Sequence, residues 1–136
     1  MTAATNYLEA RTLDFWLKAN SQTTSAPATV YVGLHTADPG EDGSTSNEIT
    51  GNGYTRQSAS FGTVTTGTDD TVNVSTDADI TFGPATGSWG TITHVSIHDA
   101  SSGGNTLFFG ALSASKTVGT SDSFKISSGN LTVELD

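Results

Sequence analysis

Apolar residues recur at helical spacing once, near the start of the chain, and at strand spacing nearly everywhere else. In "NYLEARTLDFWLKAN", Leu8, Thr12, Phe15, Trp16 and Ala19 fall on one side of a helix. Tyr7, Ala10, Leu13 and Leu17 widen that stripe. Asn6 stands where an N-cap belongs, with Glu9 three positions on to complete a capping box. Asn20 is a stop signal, so the spacing predicts a helix over 7–19. Asp14 and Lys18 are four apart in the favourable order for an exposed ion pair. The stripe is wider than one sheet edge covers. Tyr7, Leu8, Leu13, Phe15, Trp16 and Leu17 are therefore candidate interface residues, closing an end of their own domain or docking on a neighbour.

After a polar linker over 21–28, the period changes to two. In "TVYVGLH", Val30, Val32 and Leu34 alternate with Tyr31, Gly33 and His35. "GYTRQSASF", "TVNVS", "ADITFGP", "GTITHVSIH", "TLFFGAL", "SDSFKIS" and "NLTVELD" continue the pattern, with Val95 and Ile97 in one phase and Ile92, His94 and His98 in the other. The segments are parted by turn chemistry such as "DPGEDG", "SSGGN" and "SSGN". The expected fold is mainly β: an antiparallel β-sandwich or jelly-roll-like module of about eight strands with one N-terminal helix. The expected organisation is a single domain over 1–136, with the helix within 1–20 and the sandwich over 29–136. "VGLHTA" (32–37) echoes "VSIHDA" (95–100), which reads as two strands with similar ends.

Charge narrows the function. The formal net charge is −9, and five Lys and Arg are scattered along 136 residues. Binding nucleic acid needs clustered cations, and an anionic membrane repels this balance, so neither is an expected partner. No apolar run approaches the roughly 20 residues that span a bilayer. With no cysteine there is no disulfide framework, thiolate metal site or Cys nucleophile. The first fifteen residues lack the apolar run of a secretory signal.

Candidate chemistry is sparse. Asp38, Glu41, Asp42 and Glu48 crowd one Gly-rich loop, and calcium takes oxygen ligands from such loops. The EF-hand spacing is missing, and Pro39-Gly40 is ordinary turn chemistry, so the expected metal set is none, with these four as the candidates for calcium. His94 and His98 are about 13 Å apart along a strand, too far for one ion. There is no G-x-S-x-G elbow and no phosphate loop, so neither catalytic residues nor a cofactor are expected. Trp89, between glycines after a turn, fits a core corner, or else a flat face for a sugar in a glycan-binding receptor-attachment module.

The motifs "LHTADPG" with "GNGYTRQ" after it, and "ATGSWGTITHVSIHDA", carry a resemblance that extends over nearly the whole chain. They resemble a family of small tailed-bacteriophage proteins of tail-fibre, head-fibre or virion structural type. The resemblance implies a non-enzymatic component of the virion, with other capsid or tail subunits as partners. It supplies no catalytic or metal residues. Lack of cysteine suits assembly in the host cytoplasm, and net acidity with one apolar helix suits a soluble chain that forms homo-oligomers. Without heptads or a long repeat the chain cannot be a fibre shaft alone. Capsid decoration, cement or a head fibre is the expected role, with tail fibre, baseplate or adaptor subunit as the alternative.

Overall fold

The computed structural model describes residues 2–18 and 25–135. The elements run β1 (Ala3–Ala4), α1 (Asn6–Leu17), β2 (Val30–His35), β3 (Gln57–Ala59), β4 (Thr65–Thr66) and β5 (Val72–Ser75). β6 (Ile80–Phe82), β7 (Gly90–His98), β8 (Thr106–Val118), β9 (Phe124–Ile126) and β10 (Thr132–Leu135) follow. The protein is mainly β, with ten strands in antiparallel sheets and the single helix at the N-terminal side. One sheet has the order β1-β8-β7-β2-β3, a second β10-β5-β4, and a third pairs β6 with β9.

One apolar cluster joins the three sheets. Val32 and Leu34 of β2 lie opposite Ile97 and Val95 of β7, and all four are buried. Ile80, Phe82, Phe124 and Ile126 of the β6–β9 pair meet them, as do Val133 of β10 and Leu131 just before it. Alternation alone would put Ile92 on the histidine face of β7. A register shift between Ile92 and His94 moves it across, and Ile92 is fully buried in the core. The expected strand in "GYTRQSASF" contracts to β3, whereas the one in "TLFFGAL" lengthens to the 13 residues of β8. The two-residue strands β1 and β4 add to the expected eight.

The N-cap of α1 is Thr5, not Asn6. Its side chain accepts from Leu8 N at 3.4 Å and donates to Thr106 O at 2.6 Å. Thr5 is buried against β8, so this cap also fastens the helix to the sheet, which exposed Asn6 could not do. With the start moved back one residue, Glu9 falls outside the capping-box position. The Asp14–Lys18 ion pair forms at 3.1 Å. Described helix ends at Leu17; Ala19, Asn20 and the first part of the expected linker lie outside the described residues.

Candidate functional site

Residues 36–56 connect β2 to β3; Ile49 N donates to Leu34 O and the Ile49 side chain joins the apolar core, where Tyr54 also packs. Asp38 accepts from Gly40 N at 2.9 Å, a local turn at the exposed tip. Glu41 and Asp42 are exposed, and the Glu41 carbonyl accepts from Asn6 N, tying the loop to the start of α1. Glu48 turns inward and forms an isolated bridge with His35. The four acids of the calcium expectation are therefore divided, three facing outward and Glu48 facing the sheet.

Glu48 belongs to a buried polar cluster instead. Its Oε1 accepts from Arg56 Nε at 2.7 Å and Tyr54 Oη at 3.0 Å, and its Oε2 accepts from Arg56 Nη2 at 2.7 Å. Their side chains are only 6% and 9% exposed. Burial works against the charge of Glu48, but the guanidinium more than offsets it and holds the carboxyl below its usual range. Arg56 also reaches the carbonyls of Ala100 and Gly103, joining this loop to the β7–β8 turn.

The histidines sit beside that ion pair because of a local two-fold relation. Gly33 and Ser96 are register partners, and His35 and His98 each lie two residues beyond on the same face. Ser96 Oγ reaches both rings, 2.7 Å from His35 Nε2 and 2.6 Å from His98 Nε2. Proton positions follow from the donor supply. Thr106 Oγ1 donates to Gly43 O at 2.9 Å, so it must accept from His98 Nδ1, 3.3 Å away. His98 Nε2 then accepts from Ser96 Oγ, which in turn accepts from His35 Nε2. The chain ends at His35 Nδ1, which has no hydrogen-bond partner among the described residues. Burial drives both imidazoles down to about 4, with Arg56 pushing the same way and Glu48 opposing it.

Among the described residues, His35, Glu48 and His98 are the set whose ligand atoms lie within 4.8 Å of one another. This set does not suit a divalent ion. Both carboxylate oxygens already bind the guanidinium, and a second cation beside it would be repelled in a buried setting. Ser96 is likewise no nucleophile for a substrate, because it and both histidines are fully buried. The cluster is a clasp that holds the loop to the sheet. The "VGLHTA"/"VSIHDA" echo is its trace in the sequence, since it aligns His35 with His98 and Gly33 with Ser96.

Trp89 sits at a core corner. It is 4% exposed, its Nε1 donates to Asn52 O at 3.0 Å, and its ring meets Tyr54 edge-on. The flat face considered for a sugar is covered, so Trp89 makes no glycan contact in this arrangement. Tyr7 and Leu8 on α1 are half-buried, with Arg11 over the Tyr7 ring. The rest of the candidate interface is open: Leu13, Phe15, Trp16 and Leu17 are 60%, 54%, 76% and 77% exposed. No residue of α1 is buried, and the helix meets its own chain at β1, at β8 and, through Asn6, at the loop carbonyl of Glu41.

Comparison with curated proteins found no match. A family model described as Podophage GP4 fiber I protein gp80 matches residues 3–134. That span takes in α1, the clasp and, among the described residues, the strands from β1 to all but the last residue of β10. The chain belongs to the podophage GP4 fibre I protein gp80 family, a family of phage structural fibre proteins.

Proposed function

We propose that this chain is an exterior subunit of a tailed-phage particle that joins its neighbours through α1. The observation that carries this reading is the run of exposed Leu13, Phe15, Trp16 and Leu17 on one short helix, none of whose residues joins the shared core. Apolar patches of this kind mark association surfaces. The family supplies the structural role in the virion. A head fibre or capsid-decorating subunit is the favoured placement, because a single short module makes a knob better than a shaft. A tail fibre, baseplate or adaptor subunit is the alternative that the family's fibre description keeps in view. The partners are then capsid or tail subunits and further copies of the chain, with assembly in the bacterial cytoplasm. No enzymatic step is assigned: the one serine between two histidines is sealed from solvent.

Quantitative mass spectrometry of purified particles, with immunogold labelling, tests the reading. The expected result is the protein in intact particles with gold on their exterior, over the heads at high copy. Gold at the tail in few copies would move the subunit to the alternative placement. Absence from particles would contradict the proposal.

A further inference from the structure

The first half of the loop between β2 and β3 is held by few contacts. No side chain of 36–48 joins the apolar core, which the loop first enters at Ile49. Thr36 N donates to Asn47 O at 3.0 Å and closes the base of a flap over 37–46. Inside the flap the bonds are local: Gly40 N to Asp38 Oδ1, Gly43 N to Gly40 O and Ser44 N to Pro39 O. Among the described residues, two flap carbonyls bond beyond it. Glu41 O accepts from Asn6 N and Gly43 O from Thr106 Oγ1, both at 2.9 Å.

Those two ties converge on the histidine clasp. Thr106 Oγ1 accepts from His98 Nδ1, and the Thr106 carbonyl accepts from Thr5 Oγ1, the N-cap of α1. A Cβ added at Gly43 would lie 2.8 Å from Thr106 Cβ and 3.4 Å from Thr5 Cγ2, so flap, β8 and helix start are in close contact. His98, the flap and the start of α1 thus form one hydrogen-bonded chain.

That chain has no place for another proton. In the neutral clasp each side-chain hydrogen on the nitrogens and hydroxyls of His35, Ser96, His98 and Thr106 has an acceptor. On His98 the free position is Nε2, whose lone pair accepts from Ser96 Oγ. A proton there gives Ser96 two N–H donors and strands its own hydroxyl hydrogen. On His35 the free position is Nδ1, which has no partner among the described residues. Either proton also makes a buried cluster that pairs Arg56 with Glu48 net positive. The other groups facing the rings do not relieve this. Tyr31 lies opposite His98 and His94 opposite His35. Tyr54 is bound to Glu48, Asp38 stands 4.0 Å from His94, and Asp99 accepts from Asn105 N and Nδ2 at 2.6 and 2.9 Å. Glu48 and Asp99 favour a proton on His98, but burial and Arg56 outweigh them.

We propose that the flap is an acid-released latch: protonation of His98 and His35 opens residues 37–46 about the Thr36–Asn47 pair and frees the start of α1 while the sheets stay folded. Opening lets water accept from the new N–H groups and removes the Glu41–Asn6 bond. Ile49 and Tyr54, packed on the core, keep the second half of the loop in place. The latch does not depend on how α1 meets other subunits, so it and the proposed role in the particle can fail separately.

Amide exchange followed by NMR from pH 7 to 4 tests it, with each rate corrected for the intrinsic effect of pH and the histidine ring signals recorded in the same samples. Asn6 N–H reports the flap, and Ile49 N–H, bonded to Leu34 O, reports the core. The expected result is loss of Asn6 protection by about tenfold per pH unit below pH 6 for one proton taken up, while Ile49 remains protected. Asn6 protection that ignores pH would overturn the proposal. So would Asn6 and Ile49 exchanging at one common rate, because the chain would then open only as a whole. His98→Asn carries an amide nitrogen near the former Nδ1 and does not titrate, so the pH dependence at Asn6 should flatten. An undiminished dependence in that variant would also overturn the latch, and the wild-type comparison of Asn6 with Ile49 decides the matter if the variant does not fold.

Discussion

A methyl group added at Gly33 would lie 2.9 Å from both Glu48 Oε1 and Ser96 Oγ, and 3.1 Å from His98 Nε2. Nothing there can give way without breaking the clasp. Gly33→Ala should cost about 1–3 kcal/mol, the range for overpacking a dense interior, and an unchanged urea midpoint would refute this. Glu48→Ala strands a buried guanidinium and should cost about 3–5 kcal/mol, whereas Asp42→Ala on the exposed loop should stay within about 0.5 kcal/mol. Equal denaturation midpoints for the two would contradict the division of the acids. Acid has a predictable effect. His35 and His98 bind protons more weakly in the folded protein, at about 4, than at the ordinary value of 6.5. The unfolded chain therefore takes up more protons between those values, so stability falls as pH drops from 6.5 towards 4. Glu48, held below its usual range, acts in the same direction at lower pH. A melting temperature flat from pH 7 to 4 would count against buried neutral imidazoles. The sequence displays His35, Ser96 and His98 but not their register, so the spacing along β7 is legible and the diagonal across the sheet is not.

The elements show the same division between local and non-local information. Helical and strand periods are local, and they locate α1, β2, β5, β6, β7 and β10 to within a residue or two and β9 to within three. The N-cap is decided by what lies next to it in space. Asn6 is the better local signal, but Thr5 is the residue held under β8. Ile92 shows the limit of alternation, because one irregularity in the β7–β8 ladder reverses its face. Thr5→Ala should destabilise the protein by about 1 kcal/mol through loss of the cap, measurable by chemical denaturation. Leu13→Asp and Trp16→Ala, on the open side of α1, should leave the unfolding midpoint nearly unchanged. A large loss of stability in either would mean that this side of the helix packs within its own chain.

For the whole molecule, the fold class was legible because a long series of short alternating segments with turn residues between them has few other solutions. The role of the acidic loop was not legible. Three of its acids face water while the fourth anchors the loop, and composition cannot tell these apart. The exposed helix stripe was legible because its apolar arc exceeds what β1 and β8 cover. The central claim is that this stripe joins the subunit to its particle. Its most direct test is the copy number per purified particle when the wild-type chain, Trp16→Ala and Asp42→Ala are each supplied during assembly. The account predicts wild-type copy number for Asp42→Ala and a severe loss for Trp16→Ala, with both variants folded. Incorporation of Trp16→Ala and a Leu13→Asp control at the wild-type level would contradict it.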